Sequence, residues 1–262
     1  MFDFHMHSSV SFDSTGNARE MAEEALKKGL KEICFTDHFD CVNDPSEKEM
    51  KFDIDEYNKT YDNLVVDGLT IRKGMEYGIT LWNYNQFTED LKLRDFDFVI
   101  GSVHFAEGKD PYFPEFWEGR SVKESFRKYL EETLKCVEIH DKYDVLGHLT
   151  YASKSKSNPT GEELKYWDFA EIVDEIFKTV ISKGKGIEVN TSGIDACGVP
   201  LPSVEFIKRY KELGGEIITI GSDAHSPERV GQYTKECLVM IKNIFVYVCT
   251  FEERKPIFNK LT

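Results

Sequence analysis

Apolar runs that each end in a histidine or a carboxylate beside a turn recur along this sequence, and they constrain its fold more than any other feature. His5 and His7 stand in Asp3-Phe4-His5-Met6-His7, and His38 follows Ile33-Cys34-Phe35-Thr36-Asp37. Glu76 closes the run that starts at Leu69, His104 follows Phe98 to Val103, His148 follows Val145-Leu146-Gly147, and Asp223 and His225 follow Ile217 to Ser222. Of the 7 histidines, His140 alone falls outside the pattern. In a parallel β/α barrel all strand C-termini lie on one face, so such residues converge. Converging His, Asp and Glu side chains make a metal site. His5 and His7, and again Asp223 and His225, have the i, i+2 spacing that puts both side chains on one side of an extended strand.

The segments between these runs read as helices. Ala18, Met21, Ala22, Ala25, Leu26 and Leu30 have helical spacing, with Ser14-Thr15 as the expected cap and Gly29 as the stop. Further helices are expected around 53–64, 88–93, 122–140, 203–213 and 233–243. The clearest stripe, Phe169, Ile172, Val173, Ile176, Phe177, Val180 and Ile181, stops at Gly184. A polar excursion is expected over 41–52, an aromatic loop over 106–119, a polar loop over 151–160 and a strand-like tail over 245–251. Seven strand–helix units without a repeat or a linker predict an α/β, TIM-like barrel, one domain over residues 1–262. An open doubly wound sheet is the alternative, but it has difficulty bringing ligands from all its strands to one point.

Composition narrows the function. The formal net charge of −14 argues against a broad basic face, so neither nucleic acid nor an anionic membrane is an expected partner. An anionic substrate is compatible, because bound cations reverse the local field. The apolar runs are far too short to span a bilayer. The chain enters a strand at once, so no signal peptide is expected. The 6 cysteines lack a CxxC pair and read as reduced thiols of a cytoplasmic protein.

Taken in order, HxH after the first strand, Thr36-Asp37-His38, a strand-end Glu76, Ser102-Val103-His104, Gly147-His148 and Gly221-Ser222-Asp223-Ala224-His225 resemble the signatures of the polymerase and histidinol phosphatase (PHP) family. The resemblance spans His5 to His225. Ile33 to His38, Glu188-Val189-Asn190-Thr191 and the Arg254-Lys255-Pro256 tail look like its histidinol-phosphate phosphatase branch. The resemblance implies a distorted (β/α)7 barrel with two or three divalent transition-metal ions, Zn, Mn or Fe. It implies one ion on His5, His7, Glu76 and Asp223, a second shared by Glu76 with His104 and His148, and a third on Asp13, His38 and His225. Asp13 stands where other members often have histidine, which favours a harder metal. Glu76, Asp223 and His225 are expected to carry the chemistry, in which water held between two ions attacks phosphorus.

Substrate contacts are expected from Lys154, Arg120, Trp117 and Arg229. Lys154 replaces an arginine that the family often places after Gly-His-Leu, and a lysine lacks the bidentate guanidinium fork. The implied reaction is hydrolysis of L-histidinol phosphate to L-histidinol and phosphate in histidine biosynthesis. A phosphoesterase for another small phosphate ester such as a nucleotide, an amidohydrolase and a non-catalytic metal-binding scaffold are the rival readings.

Overall fold

The computed structural model describes residues 1–41 and 50–261. β1 (Phe2–Asp3) is followed by α1 (Ala18–Lys27), β2 (Glu32–Phe35), β3 (His38–Asp40), β4 (Met50–Lys51), α2 (Ile54–Tyr61), β5 (Thr70–Gly78), α3 (Tyr84–Asp90) and β6 (Phe98–Ser102). Then come α4 (Val122–Ile139), β7 (Val145–Leu146), α5 (Ala170–Ser182), β8 (Gly186–Asn190), α6 (Gly193–Cys197), α7 (Val204–Glu212), β9 (Ile218–Gly221) and α8 (Thr234–Lys242). A hairpin of β10 (Tyr247–Glu252) and β11 (Lys255–Lys260) ends the chain.

β1, β2, β5, β6, β7, β8 and β9 lie side by side in that order, each pair parallel. Phe4 N–H donates to Ile220 O (2.9 Å) and Asp223 N–H to His5 O (2.7 Å), which joins β9 to the chain leaving β1. The result is a single-domain, TIM-like α/β barrel, irregular where β1 and β7 contribute two residues each. β3 runs beside the end of β5, with His38 opposite Glu76, and pairs antiparallel with β4. Most of the polar excursion expected over 41–52 lies outside the described residues.

The helices follow their sequence patterns, with local differences that have physical causes. Asn17, not Ser14-Thr15, caps α1, accepting from the N–H groups of Arg19 and Glu20. Ser14 is engaged elsewhere: its hydroxyl lies 2.9 Å from both His7 O and His225 O. Ser121 and Glu124 form a reciprocal capping box at the start of α4. Val173, Ile176, Phe177 and Val180 form the buried stripe of α5. Among the described residues no helix is long and apolar enough to cross a membrane. All six cysteines are free.

A large core fills the space between strands and helices. A second, smaller cluster seals the barrel floor. There Phe4, Cys34, Phe98, Ile100 and Val145 meet Cys249 and Phe251 of β10, and the Phe98 and Phe251 rings lie 4.8 Å apart. The expected tail strand is therefore half of a hairpin plug, and Pro256 sits in its edge strand, where a missing N–H costs no ladder bond.

Arg254 locks that plug. It adopts a left-handed backbone (φ 64°) in the hairpin turn. Its Nε donates to Asp144 Oδ2 at 2.5 Å, and its Nη2 donates to Lys142 O. Burial raises the Asp144 pKa even with Arg254 beside it, so after loss of the arginine the carboxyl can take up a proton. That escape limits the cost. Arg254→Ala is expected to destabilise the fold by about 2 kcal/mol, below the usual range for breaking a buried pair. Urea denaturation reads this as a lower midpoint with an unchanged slope, and an unchanged midpoint would contradict it.

Candidate metal centre

The open end of the barrel carries the strand-end residues, and the fold brings them together. His5 and His7 leave β1, with their Nε2 atoms 3.0 Å apart. Asp223, in a left-handed turn (φ 55°) after β9, places Oδ1 3.3 Å from His7 Nε2 and 3.6 Å from His5 Nε2. Glu76 of β5 lies at the centre. Its Oε1 accepts from Ser102 Oγ (2.6 Å) and lies 2.8 Å from His148 Nε2 and 3.3 Å from His104 Nε2. Its Oε2 faces His5 Nε2 and His38 Nδ1, both at 3.2 Å. The His7 ring stacks between those of His38 and His225, each centroid 4.3 Å away. Asp13 Oδ2 reaches His225 Nε2 at 3.2 Å and His38 Nε2 at 3.5 Å. The nine residues expected to hold metal thus form one cluster.

Carboxylates behind the imidazoles orient them. Glu188 of β8 lies 2.6 Å from His5 Nδ1. Asp40 of β3 lies 2.7 Å from His104 Nδ1 and 3.2 Å from His38 Nδ1. A Cβ on Gly78 would fall 1.9 Å from Asp40 Oδ1, so β5 needs glycine there. His7 Nδ1 meets Ser11 Oγ (3.1 Å), which donates to Asp37, and Tyr61 O–H donates to the same carboxylate. Asp3 accepts from Ser222 N–H, Ser222 O–H and Gly231 N–H, which fixes the turn carrying Asp223. Such outer partners set ligand tautomer and direction. Sequence reasoning does not mark Asp3, Asp40 or Glu188 as site residues, although Asp3 lies in the His5–His7 motif and Glu188 in the Glu188-Val189-Asn190-Thr191 match; the physical signal is a carboxylate inside or next to an otherwise apolar strand.

In the metal-free cluster, carboxylates and imidazoles hold one another's charge against burial. Burial opposes ionisation of Glu76, yet the potential of His5, His104 and His38 holds its carboxyl well below the usual range. Asp223 is likewise held down against burial, by Lys154 and His5. Burial also opposes charge on His5, but Glu188, Glu76 and Asp223 raise it well above its ordinary value. His104 rises to about 10, because Asp40 and Glu76 outweigh burial. His7, buried beside His38 and His225, falls to about 3.

Divalent ions fit this arrangement. Glu76 Oε2 is buried without a hydrogen-bond donor, a costly state that a cation removes. Three sets, His5–His7–Asp223, His5–Glu76–His148 and His7–His38–His225, each bring their ligand atoms within 4.8 Å of one another, as does His38–Asp40–His104. The mixed nitrogen and oxygen donors suit Zn, Mn or Fe.

Seven of the nine, Asp13, His38, Glu76, His104, His148, Asp223 and His225, form the base of a cavity of about 440 Å³, walled by Phe12, Tyr112, Phe113, Tyr151, Asp110 and Lys154. Lys154 Nζ donates to Asp223 Oδ2 (2.6 Å) and lies 3.3 Å from Ser192 Oγ. The other expected substrate contacts are not brought to this wall. Trp117 is buried in its own loop, its Nε1 donating to Pro111 O and its ring against Phe116 and Phe126. Arg120 pairs with Glu107 over the Phe116 ring. Arg229 pairs with Asp195 on the surface. The aromatic loop does overhang the site, but through Tyr112 and Phe113.

Known proteins resemble this chain over nearly its whole length. The chain is 34% identical over 258 residues to a probable histidinol-phosphatase of Clostridium acetobutylicum, covering 97% of this chain and 98% of that one. It is 31% identical over 263 residues to a histidinol-phosphatase of Lactococcus lactis subsp. lactis, covering 98% and 97%. The crystal structure of a histidinol phosphate phosphatase from Lactococcus lactis subsp. lactis, complexed with zinc, L-histidinol and phosphate, superposes with a TM-score of 0.90 at 30% identity, covering 98% of each chain. A sequence model of the PHP domain matches residues 3–192, and the chain belongs to that family.

Proposed function

We propose that this chain is a metal-dependent phosphomonoesterase that hydrolyses L-histidinol phosphate to L-histidinol and phosphate, as a step of histidine biosynthesis. The observation that carries the reading is Glu76: a buried carboxylate with a donorless oxygen, ringed by imidazoles, at the base of an open cavity. The zinc, histidinol and phosphate of the Lactococcus structure support both the cofactor and the substrate.

His5, His7, Glu76 and Asp223 would hold one ion, Glu76 with His104 and His148 a second, and Asp13, His38 and His225 a third. When bound, such ions lower the pKa of water and neutralise charge developing on phosphoryl oxygens. The protein's own part is to aim and enclose. Asp40, Glu188 and the Ser11–Asp37 pair hold the imidazoles in one direction. Lys154 and Ser192 engage Asp223 Oδ2, which leaves Oδ1 turned toward His5 and His7. Phe12, Tyr112, Phe113 and Tyr151 offer flat faces to the imidazole ring of the departing histidinol. Lys154 supplies a fixed positive charge for the phosphate.

Because a lysine adds binding as a point charge, Lys154→Ala is expected to raise KM about tenfold, the size of one charge-assisted hydrogen bond, and to lower kcat much less. Steady-state kinetics separate the two constants. A loss confined to kcat would give Lys154 a role in the chemical step instead.

Phosphate release from histidinol phosphate, a nucleoside monophosphate and a simple aryl phosphate tests the substrate. Histidinol phosphate is expected to have the highest kcat/KM. A wide margin in favour of either other ester would overturn the histidinol assignment and leave the phosphoesterase class.

A further inference from the structure

Glu188 lies at the middle of β8 with 1% of its surface exposed, and its two oxygens serve two different strand ends. Oε1 lies 2.6 Å from His5 Nδ1. Oε2 accepts from the His148 main-chain N–H at 2.8 Å and from Asn190 Nδ2 at 3.3 Å. Among the described residues no lysine or arginine pairs with it, so its one ionic partner is an imidazole.

An ionised carboxylate only accepts hydrogen bonds, so His5 Nδ1 must carry the proton. In the neutral ring Nε2 is then a bare lone pair. Nε2 is the atom that faces His7 Nε2 (3.0 Å), Glu76 Oε2 (3.2 Å) and Asp223 Oδ1 (3.6 Å). His5 belongs both to the His5–His7–Asp223 set and to the His5–Glu76–His148 set. The second oxygen of Glu188 reaches another member of that second set, His148, because the His148 N–H it holds sets where the His148 ring stands against Glu76. The neighbouring strand is shaped to this contact: a Cβ on Gly221 would lie 2.2 Å from His5 Cβ and 2.5 Å from Glu188 Oε1. Only a hydrogen fits there.

We propose that Glu188 is a positioning residue shared by two adjacent ion sites, one oxygen fixing the tautomer of His5 and the other the main chain at His148, so that both sites weaken together when the carboxylate is lost. The proposal rests on the metal reading of the cluster and adds a coupling between its sites. An amide cannot replace the carboxylate. Glutamine at 188 has one acceptor and one donor end, so it can satisfy His5 or His148 but not both. Aspartate keeps two acceptors on a shorter arm, so it too can reach one partner at a time.

Two measurements on full-length protein test this. In ¹⁵N-histidine-labelled, zinc-loaded wild-type protein, long-range ¹H–¹⁵N spectra should show His5 protonated at Nδ1 and not at Nε2. The opposite tautomer overturns the proposal without any variant, even where Glu188→Ala fails to fold. In folded Glu188→Ala, which removes both acceptors, competition with a chelator should show two zinc equivalents weakened together, each by about 10- to 100-fold, the range for loss of an outer partner. Glu188→Gln and Glu188→Asp, which keep one contact, should instead weaken one equivalent more than the other. Wild-type affinity in Glu188→Ala, or loss of one equivalent alone in that variant, also overturns it. A wild-type protein that takes up no zinc would instead refute the metal reading itself.

Discussion

Glu76→Gln is expected to lower kcat/KM for histidinol phosphate by about 10³-fold, equivalent to about 4 kcal/mol of transition-state stabilisation, and to lower bound metal with it. Glutamine keeps the shape but removes the charge, and it turns one oxygen into an N–H₂ that cannot ligate. Whichever way the amide faces, it suffers. One orientation points the amide group toward His148 and Ser102, which contact Oε1 now; the other points it toward His5 and His38, which surround Oε2. Three imidazoles that Glu76 now draws toward positive charge, His5, His38 and His104, lose their common counter-charge. Circular dichroism separates this loss from unfolding. A folded Glu76→Gln with full metal occupancy and near-normal kcat would remove Glu76 from the role of shared ligand.

Chelation should lower the melting temperature by about 8–16 °C near neutral pH. A site filled at a thousand times its dissociation constant stabilises the native state by about 4 kcal/mol, and about 2–4 °C per kcal/mol applies to a domain of this size. The loss should grow as pH rises. In the metal-free protein, His5, His38 and His104 have pKa values raised by neighbouring carboxylates, against burial. Stability from a raised histidine is fully present below its unfolded value of 6.5 and disappears as pH climbs through the folded value, about 10 for His104. Metal-free protein should therefore weaken progressively from pH 6.5 upward, while the zinc-loaded protein, whose ligands need no protons, should not. Identical melting curves with and without chelator across that range would contradict this.

The cluster of strand-end side chains is legible in the sequence because a barrel turns one-dimensional punctuation into a place. Each of His5, His38, Glu76, His104, His148 and Asp223 follows an apolar run, and a parallel barrel sends all such ends to one rim. The residues that aim the ligands are less legible. Glu188 and His5 are 183 positions apart, and nothing near either one announces the other. Asp40 gains its meaning from β3 running beside Glu76, a pairing that the sequence reads as the edge of a polar excursion. The aromatic loop shows a different limit. Composition places Tyr112, Phe113 and Trp117 together, but the fold sorts them. Trp117 turns inward because Pro111 O accepts its N–H and Phe126 packs on its ring, leaving Tyr112 and Phe113 for the cavity. Arg120 and Arg229 look available in sequence, yet each has a nearby acid, Glu107 and Asp195. At the C-terminus the β11 pattern is hidden by Pro256 and the flanking lysines, which suit an edge strand but carry little strand signal.

The most direct test of the central claim, that this cluster hydrolyses histidinol phosphate by holding metal, is phosphate release by chelator-treated protein as zinc is returned in measured equivalents. Activity on histidinol phosphate should be absent at zero zinc, rise with each addition and level off at two to three equivalents per chain. Full turnover without zinc, or a fully loaded protein that releases no phosphate from histidinol phosphate, would contradict it.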